Sequence, residues 1–152
     1  MDALTLKEII AEAHDASSKH GWWDGQQMEV ELVGVDEKTL VQALVPPNIP
    51  EKLMLMVSEL SEALEEYRVR HPLDYIYVER TDYLTGVKAR FGYVDEIHSP
   101  NDKPEGIPIE IADVVIRLAD FCGHYGIDLE RAIRLKLAHN KTRPHRHGDK
   151  KC

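Results

Sequence analysis

The sequence predicts an all-α fold of four helices, with an irregular or β-hairpin insertion between the second and third helices. Four segments repeat apolar residues at the spacing of one helical face. Pro or Gly residues stand where these segments would begin or end. Residues 73–106 replace that helical spacing with the aromatic and β-branched residues that favour strands, which marks them as the insertion.

The first two helices are delimited by Gly and Pro. Residues 4–20 place apolar side chains at helical spacing, and Gly21 follows as a stop. Pro50 suits the first turn of a second helix, because its missing N–H would be unpaired there in any case. This helix is expected over residues 50–70 and should end before Pro72.

The third and fourth helices follow one another closely. The third should start at Ile107-Pro108 and end at Gly126. Asp128 is a good N-cap for the fourth helix, which Pro144 should end.

The remaining segments lack a continuous helical pattern. Residues 26–49 are mixed: MEVELVGV is expected to form a short strand or a loop, and VPPNIP cannot be helical inside. In the insertion, DYIYVER and VKARFGYV have strand character around an LTG turn, and SPNDKPEG follows as a plain loop. We expect one domain over residues 1–152, with a basic tail at 144–152.

Composition excludes several classes of function. The chain has 27 acidic residues against 19 Lys and Arg, a formal net charge of −8, which disfavours binding to nucleic acid or to an acidic membrane. Cys122 and Cys152 form no disulfide framework, which indicates a reducing compartment. The N-terminus resembles no signal peptide, and no apolar run is long enough to span a membrane. A cytoplasmic protein is therefore expected.

The second helix carries acidic residues beside its apolar face. Glu59 and Glu62 share one stripe, at 100° per residue. The stripe borders the face that is expected to form the core, which consists of Met56, Leu60, Leu64 and Tyr67.

The third helix repeats this arrangement. Glu110 and Asp113 have the same i, i+3 spacing, and Arg117 continues their stripe. Apolar residues occupy most of the remaining surface, so the helix is expected to be largely buried. Its carboxylates would then need partners.

If these two helices pack side by side, their four carboxylates converge. Oxygen ligands of this kind suit Mg²⁺, or Mn²⁺ as a second possibility. The alternative is a solvated flank, because a single pair of acids at this spacing is common on helices. Two pairs that both edge apolar faces favour the metal site. A di-iron site would need Glu-x-x-His on two helices, and the sequence lacks it.

Two further groups have the chemistry of a nucleotide site. Lys136, Asn140 and Arg143 share a stripe of the fourth helix, where they would either bind phosphate or interact with the helix dipole. Trp22 and Trp23 would either stack on a nucleobase or anchor the end of the first helix.

Three stretches in this order resemble a known family: SELSE (58–62), EIADVV (110–115) and GIDLERAIRLKLAHNKTRP (126–144). They are similar to the MazG-like branch of the all-α NTP pyrophosphatases. The resemblance implies a four-helix MazG-like bundle that cleaves nucleoside triphosphates, with Mg²⁺, to a monophosphate and pyrophosphate. It also implies a homodimer or homotetramer. Two features depart from the family pattern, namely Ser58-Glu59 in place of an acidic doublet and a longer connection to the third helix.

The resemblance also assigns roles to the candidate residues. The metal ligands would be Glu59, Glu62, Glu110 and Asp113, and the groups near the substrate would be Trp22, Trp23, Lys136, Asn140 and Arg143. From charge alone, Glu62 would orient the attacking water as a catalytic group, and Lys136 or Arg143 would balance the charge of the leaving pyrophosphate. The competing hypothesis is a non-catalytic helical module that senses nucleotides or binds a partner protein.

Overall fold

A computed structural model describes residues 4–31, 40–45, 47–81, 84–99 and 102–143, with no side-chain description for 26–31 and 40–45. The elements in chain order are α1 (Leu6–Lys19), β1 (Gln26–Glu31), β2 (Leu40–Val45), α2 (Ile49–Arg68), β3 (Tyr77–Thr81), β4 (Lys88–Gly92), β5 (Pro104–Glu105), α3 (Ile107–Tyr125) and α4 (Leu129–Lys141). The prediction of four helices is confirmed. An all-α class is not, because small antiparallel sheets accompany the helices. The tail at 144–152 lies outside the described residues.

The helix ends follow local chemistry. Thr5 and Glu8 form a reciprocal capping box at the start of α1, which pairs two backbone N–H groups that the helix leaves unsatisfied. Gly126 ends α3 in the left-handed conformation, with φ +64°, as the sequence predicted. Asp128 caps α4 by accepting a hydrogen bond of 2.9 Å from the Arg131 N–H.

The helical core is built around α3, which packs against both α1 and α2. Its buried apolar residues are Ile107, Ala119 and Cys122, of which the last two are small, and α1 contributes Ala13. Small residues allow the helix axes to approach closely, but they bury little apolar area per residue. The core of the described chain is therefore thin.

The predicted core face of α2 is wrong for the single chain. Leu60 is 53% exposed, and Leu64 and Tyr67 are exposed as well. Instead, the side of α2 that carries Glu59 is buried. Helical spacing identifies residues that share a face, but it does not say which neighbouring element covers that face.

The prediction that α3 is mostly buried is also wrong for the single chain. Ile111, Val115 and Leu118 are exposed, whereas Glu110 and Asp120 are buried. The α4 helix contributes no buried residue. Large apolar surfaces on these helices consequently stay uncovered within one chain.

Two small sheets accompany the helices in the part of the chain that the structure describes. The β1 and β2 strands pair antiparallel in a register from Gln26 opposite Val45 to Glu31 opposite Leu40. The other sheet has the strand order β4-β3-β5, and its β5 pairs Glu105 with Tyr77. The segment KPEG, expected to be part of a loop, therefore includes a short strand.

A close contact joins this second sheet to the start of α3. Gly106 precedes the helix with φ +117°, a conformation that L-residues rarely adopt. A Cβ at this position would lie 2.1 Å from the carbonyl oxygen of Tyr75. Only glycine fits there, so the β5–α3 junction is held directly against the chain that leads into β3.

None of the helices in the described ranges combines the length and apolar character that a membrane span requires.

Candidate functional site

Three of the four predicted metal ligands come together between α2 and α3. Glu59, Glu62 and Glu110 each place a carboxylate oxygen within 4.8 Å of the others. Glu59 and Glu110 are only 5% and 4% exposed, whereas Glu62 is exposed. Burial of two carboxylates is costly unless a positive charge or hydrogen-bond donors compensate it. Two of these groups are therefore fixed inside the interface, and the third opens to solvent.

Asp113 lies beside this group, one helical turn after Glu110. Its side chain is half-buried, and it is not among the carboxylates that meet within 4.8 Å. Burial raises the pKa of Asp113, and the negative charge of Glu59 raises it further. The fourth predicted ligand thus experiences the field of the same cluster.

Glu110 is the most strongly perturbed carboxyl group in the cluster. Burial and then the negative charge of Glu62 raise its pKa to about 7, with smaller contributions from Glu105 and Asp113. Desolvation and like charges both disfavour the ionised carboxylate. A cation bound among these oxygens would relieve both penalties.

The insertion contributes two charged residues that were not recognised in the sequence. Lys103 Nζ lies 2.9 Å from a carboxylate oxygen of Glu105 on β5. This contact raises the pKa of Lys103 above its usual value, with further contributions from the charges of Glu110 and Glu62. The residues lie only a few positions before α3, but their role depends on the β3–β5 pairing, which no sequence pattern predicts.

A partly buried ion pair crosses between the two acidic helices. Arg117 of α3 places a guanidinium nitrogen 2.6 Å from a carboxylate oxygen of Glu59 on α2. The Arg117 Nε atom is buried and makes no hydrogen bond with any residue that the structure describes. Sequence spacing had placed Arg117 on the acidic stripe, but it did not reveal the partner on the other helix.

A pocket of about 210 Å³ adjoins the carboxylates. Its polar lining includes Asp113, Arg117 and Lys52, and its aromatic lining includes Trp22 and Trp23. Lys52 Nζ donates a hydrogen bond of 2.6 Å to the Trp22 carbonyl oxygen and lies over both indole rings. The pocket therefore combines aromatic faces, two cations and the carboxylate of Asp113, which lies beside the acidic cluster.

The two tryptophans have different surroundings. Trp23 donates an Nε1–H bond of 2.8 Å to the buried Asp120 and stacks on His124. Trp22 is 50% exposed at the rim of the pocket. These contacts favour the anchoring role for Trp23 and leave Trp22 with an accessible ring.

The α4 candidates are not brought to this site within one chain. Lys136, Asn140 and Arg143 are exposed, and their side chains make no hydrogen bond or ion pair with any described residue. The α4 helix has no buried face that would fix it against α2 or α3.

The donor chemistry of the cluster is uniform. All three groups that meet are carboxylates, and no imidazole or thiolate from the described part of the chain joins them. Hard oxygen donors are the ligands that Mg²⁺ and Mn²⁺ prefer, whereas sites with sulfur or imidazole ligands favour zinc and iron. The residues present thus fit a divalent cation of the magnesium type.

Comparison of the chain with protein-family models, with curated proteins and with solved structures finds no match. The similarity to the MazG-like proteins therefore stays a prediction that depends on the motif residues.

Proposed function

We propose that the chain is a Mg²⁺-dependent nucleoside triphosphate pyrophosphohydrolase of the MazG-like type. It would hydrolyse a nucleoside or deoxynucleoside triphosphate to the monophosphate and pyrophosphate, as a cytoplasmic enzyme that removes unwanted nucleotides. The observation that carries this proposal is the meeting of Glu59, Glu62 and Glu110 from two helices. Such a cluster is typical of a cation site for phosphate chemistry, and the adjoining pocket offers an aromatic ring and two cationic groups.

Glu59 and Glu110 suit the role of fixed metal ligands. Their burial between packed helices restricts their side chains, so that little order would be lost when they coordinate a cation. Asp113 completes the proposed ligand set from the next turn of α3. A bound Mg²⁺ supplies charge neutralisation for the phosphates and lowers the pKa of a coordinated water.

Glu62 suits the role of general base. It is the exposed member of the cluster, so a water molecule can reach its carboxylate while the buried acids stay in place. Glu62 would accept a proton from the attacking water as the water oxygen approaches the α-phosphorus. Trp22, with its accessible ring, would stack on the nucleobase.

Apolar exposure supports a homodimer or homotetramer. Large apolar side chains on α2, α3 and α4 are exposed within one chain, including Leu53, Met54, Leu60, Ile111, Leu135 and Leu137. A second copy would cover such faces.

Oligomerisation would also supply the groups missing from the site. The α4 helix of a second copy, packed on α2 and α3, would bring Lys136, Asn140 and Arg143 toward the substrate. Lys136 would then balance the charge that develops on the leaving pyrophosphate, and the other two residues would bind phosphate or sugar.

The test is product analysis with a panel of ribo- and deoxynucleoside triphosphates in the presence of Mg²⁺. We expect monophosphate and pyrophosphate in equal amounts, without release of single phosphate. Glu59→Gln and Asp113→Asn should lower turnover by at least about a hundredfold, because each removes a charged ligand. Glu65→Gln is the matched control, since Glu65 lies on α2 and forms an exposed ion pair with Arg68.

The same assay separates the enzyme from the non-catalytic module. Tight nucleotide binding without any product from any triphosphate would reject the enzyme and favour a sensor. Unchanged turnover in both ligand variants would reject the proposed ligand set.

A further inference from the structure

We infer that Arg117 is a substrate-binding residue that Glu59 holds in the absence of metal, so that a divalent cation and a polyphosphate bind cooperatively. This inference rests on the proposed function, because it assigns Glu59 to the cation and the adjoining pocket to the phosphates. It adds a coupling between the two ligands and names the polyphosphate chain as the part of the substrate that Arg117 recognises.

The first step is competition for Glu59. Arg117 occupies one Glu59 oxygen at 2.6 Å, and the Glu59 side chain is 7% exposed. A buried carboxylate with one cationic partner has little access to water that could replace that partner. A divalent cation that coordinates Glu59 would take over this charge and weaken its attraction for the guanidinium.

Once released from Glu59, the Arg117 guanidinium can bind phosphate in the adjoining pocket. Arg117 already lines the 210 Å³ pocket, with its Cζ atom 5.7 Å from the centre of the Trp22 ring. Its Nε–H is buried without a hydrogen-bond partner among the described residues, so the ion pair with Glu59 leaves one N–H donor of the guanidinium unpaired. Guanidinium groups bind phosphate through two parallel N–H bonds, which makes this group suited to a polyphosphate.

Lys52 is the second cation that lines the pocket. Lys52 approaches from α2, with Nζ on the Trp22 carbonyl oxygen and over the indole rings. Lys52 has no carboxylate partner within the described part of the chain, unlike Arg117. The two cations would therefore share the phosphate chain, but only Arg117 would be linked to the metal through Glu59.

The linkage predicts opposite effects of one substitution. Arg117→Gln should raise the affinity for Mn²⁺ alone about tenfold, because the competitor for Glu59 is removed. The same variant should lower the affinity for a non-hydrolysable triphosphate analogue with Mg²⁺ by at least about tenfold. Both affinities can be measured by calorimetry, which requires no turnover. Lys52→Gln should weaken the analogue alone, and Arg68→Gln, on the exposed side of α2, should change neither affinity.

A second pair of variants keeps the inference testable if Arg117→Gln does not fold. Glu59→Gln and Glu62→Gln each remove one negative charge from the cluster, but only Glu59 contacts Arg117. Without metal, Glu59→Gln should increase the affinity for inorganic tripolyphosphate at least about fivefold more than Glu62→Gln does.

Three results would overturn the inference. Equal effects of the two glutamate variants on tripolyphosphate binding would mean that Glu59 does not restrain Arg117. Loss of both metal and analogue affinity in Arg117→Gln would assign Arg117 a purely structural role. Stronger Mn²⁺ binding with unchanged analogue binding would mean that Arg117 never contacts the phosphates. Absence of turnover, in contrast, would bear on the proposed reaction and leave these binding results valid.

Discussion

The indole ring of Trp23 lies flat against the imidazole ring of His124, with the ring centres 3.6 Å apart and the planes 6° from parallel. The stack joins the segment after α1 to the last turn of α3, and the Trp23 Nε1–H adds a bond to Asp120. One face of this ring is therefore occupied by the fold itself. Trp22, its neighbour in the chain, has no comparable stacking partner among the described residues, and half of its surface is exposed.

This difference predicts that Trp23 contributes mainly to stability, whereas Trp22 contributes mainly to binding. Trp23→Ala should lower the free energy of unfolding by about 3 kcal/mol, because it removes a ring stack and a part-buried hydrogen bond. Trp22→Ala should lower it by less than about 1 kcal/mol, as is usual for a half-exposed side chain. Urea denaturation of both variants measures these quantities. Equal losses would show that Trp22 is also an anchor.

The position of Gly106 gives a test of how the insertion is attached. Gly106→Ala should destabilise the protein by about 4 kcal/mol or more, since the added Cβ meets the Tyr75 carbonyl oxygen at 2.1 Å. Gly86 also has a positive φ, +69°, but nothing lies within 4 Å of an added Cβ, so Gly86→Ala should cost only about 1 kcal/mol. Thermal unfolding of the two variants gives the comparison. A Gly106→Ala protein as stable as Gly86→Ala would contradict the close contact.

The raised pKa of Glu110 makes stability depend on pH in the metal-free protein. Its folded-state pKa of about 7 exceeds the ordinary value of 4.5, so its protonated form is favoured in the fold. The corresponding stability is fully present below about pH 4.5 and is lost as the pH rises through about 7. We expect wild-type stability, relative to Glu110→Gln, to decline over this window and to level off above it.

Metal addition supplies the control for this pH effect. At pH 8 in the wild type, Mg²⁺ should restore the stability that ionisation of Glu110 removes, because the cation favours the carboxylate. In Glu110→Gln the same addition should have a much smaller effect. Melting temperatures with Mg²⁺ and with EDTA measure both. If the difference between the wild-type melting temperatures with Mg²⁺ and with EDTA were the same at pH 5 and at pH 8, the assigned pKa shift of Glu110 would be contradicted.

The exposed face of α2 predicts the effect of charge on assembly. Leu60→Glu places a carboxylate on a face that we expect a second copy to cover, and burial of that charge would cost several kcal/mol. Sedimentation should show the wild type as a dimer or tetramer and the variant as a monomer. Leu84→Glu is the control, because Leu84 is 97% exposed and lies in the turn between β3 and β4. A monomeric wild type at micromolar concentration would contradict the expected assembly.

The helix limits could be predicted from local chemistry, because Pro50, Gly126 and Asp128 act through their own backbone or a neighbouring N–H. The packing could not be predicted in the same way. Leu60 and Glu59 are adjacent in sequence, and periodicity alone placed the leucine inside, whereas the structure buries the glutamate. Which face a helix buries depends on its neighbours, and those neighbours include surfaces that one chain does not supply.

In the candidate site too, residues selected by local spacing could be predicted, whereas contacts that depend on packing could not. Glu59, Glu62 and Glu110 could be selected because the i, i+3 spacing on two helices is visible in the sequence. Arg117 was visible as part of the stripe, but its pairing with Glu59 required the relative position of α2 and α3. Lys103 and Glu105 depended on the strand pairing of β5, a contact between residues nearly thirty positions apart in sequence.

The position of a bound cation is the most direct test of the proposed metal centre. Crystals grown with Mn²⁺ should give an anomalous difference peak between α2 and α3, about 2.2 Å from oxygens of Glu59 and Glu110, with the Glu62 carboxylate beside it. The peak should disappear in crystals of Glu110→Gln that keep the same helix packing. A well-ordered wild-type site at high Mn²⁺ with no peak among these carboxylates, or a peak bound only elsewhere, would contradict the claim that the two helices share one divalent cation.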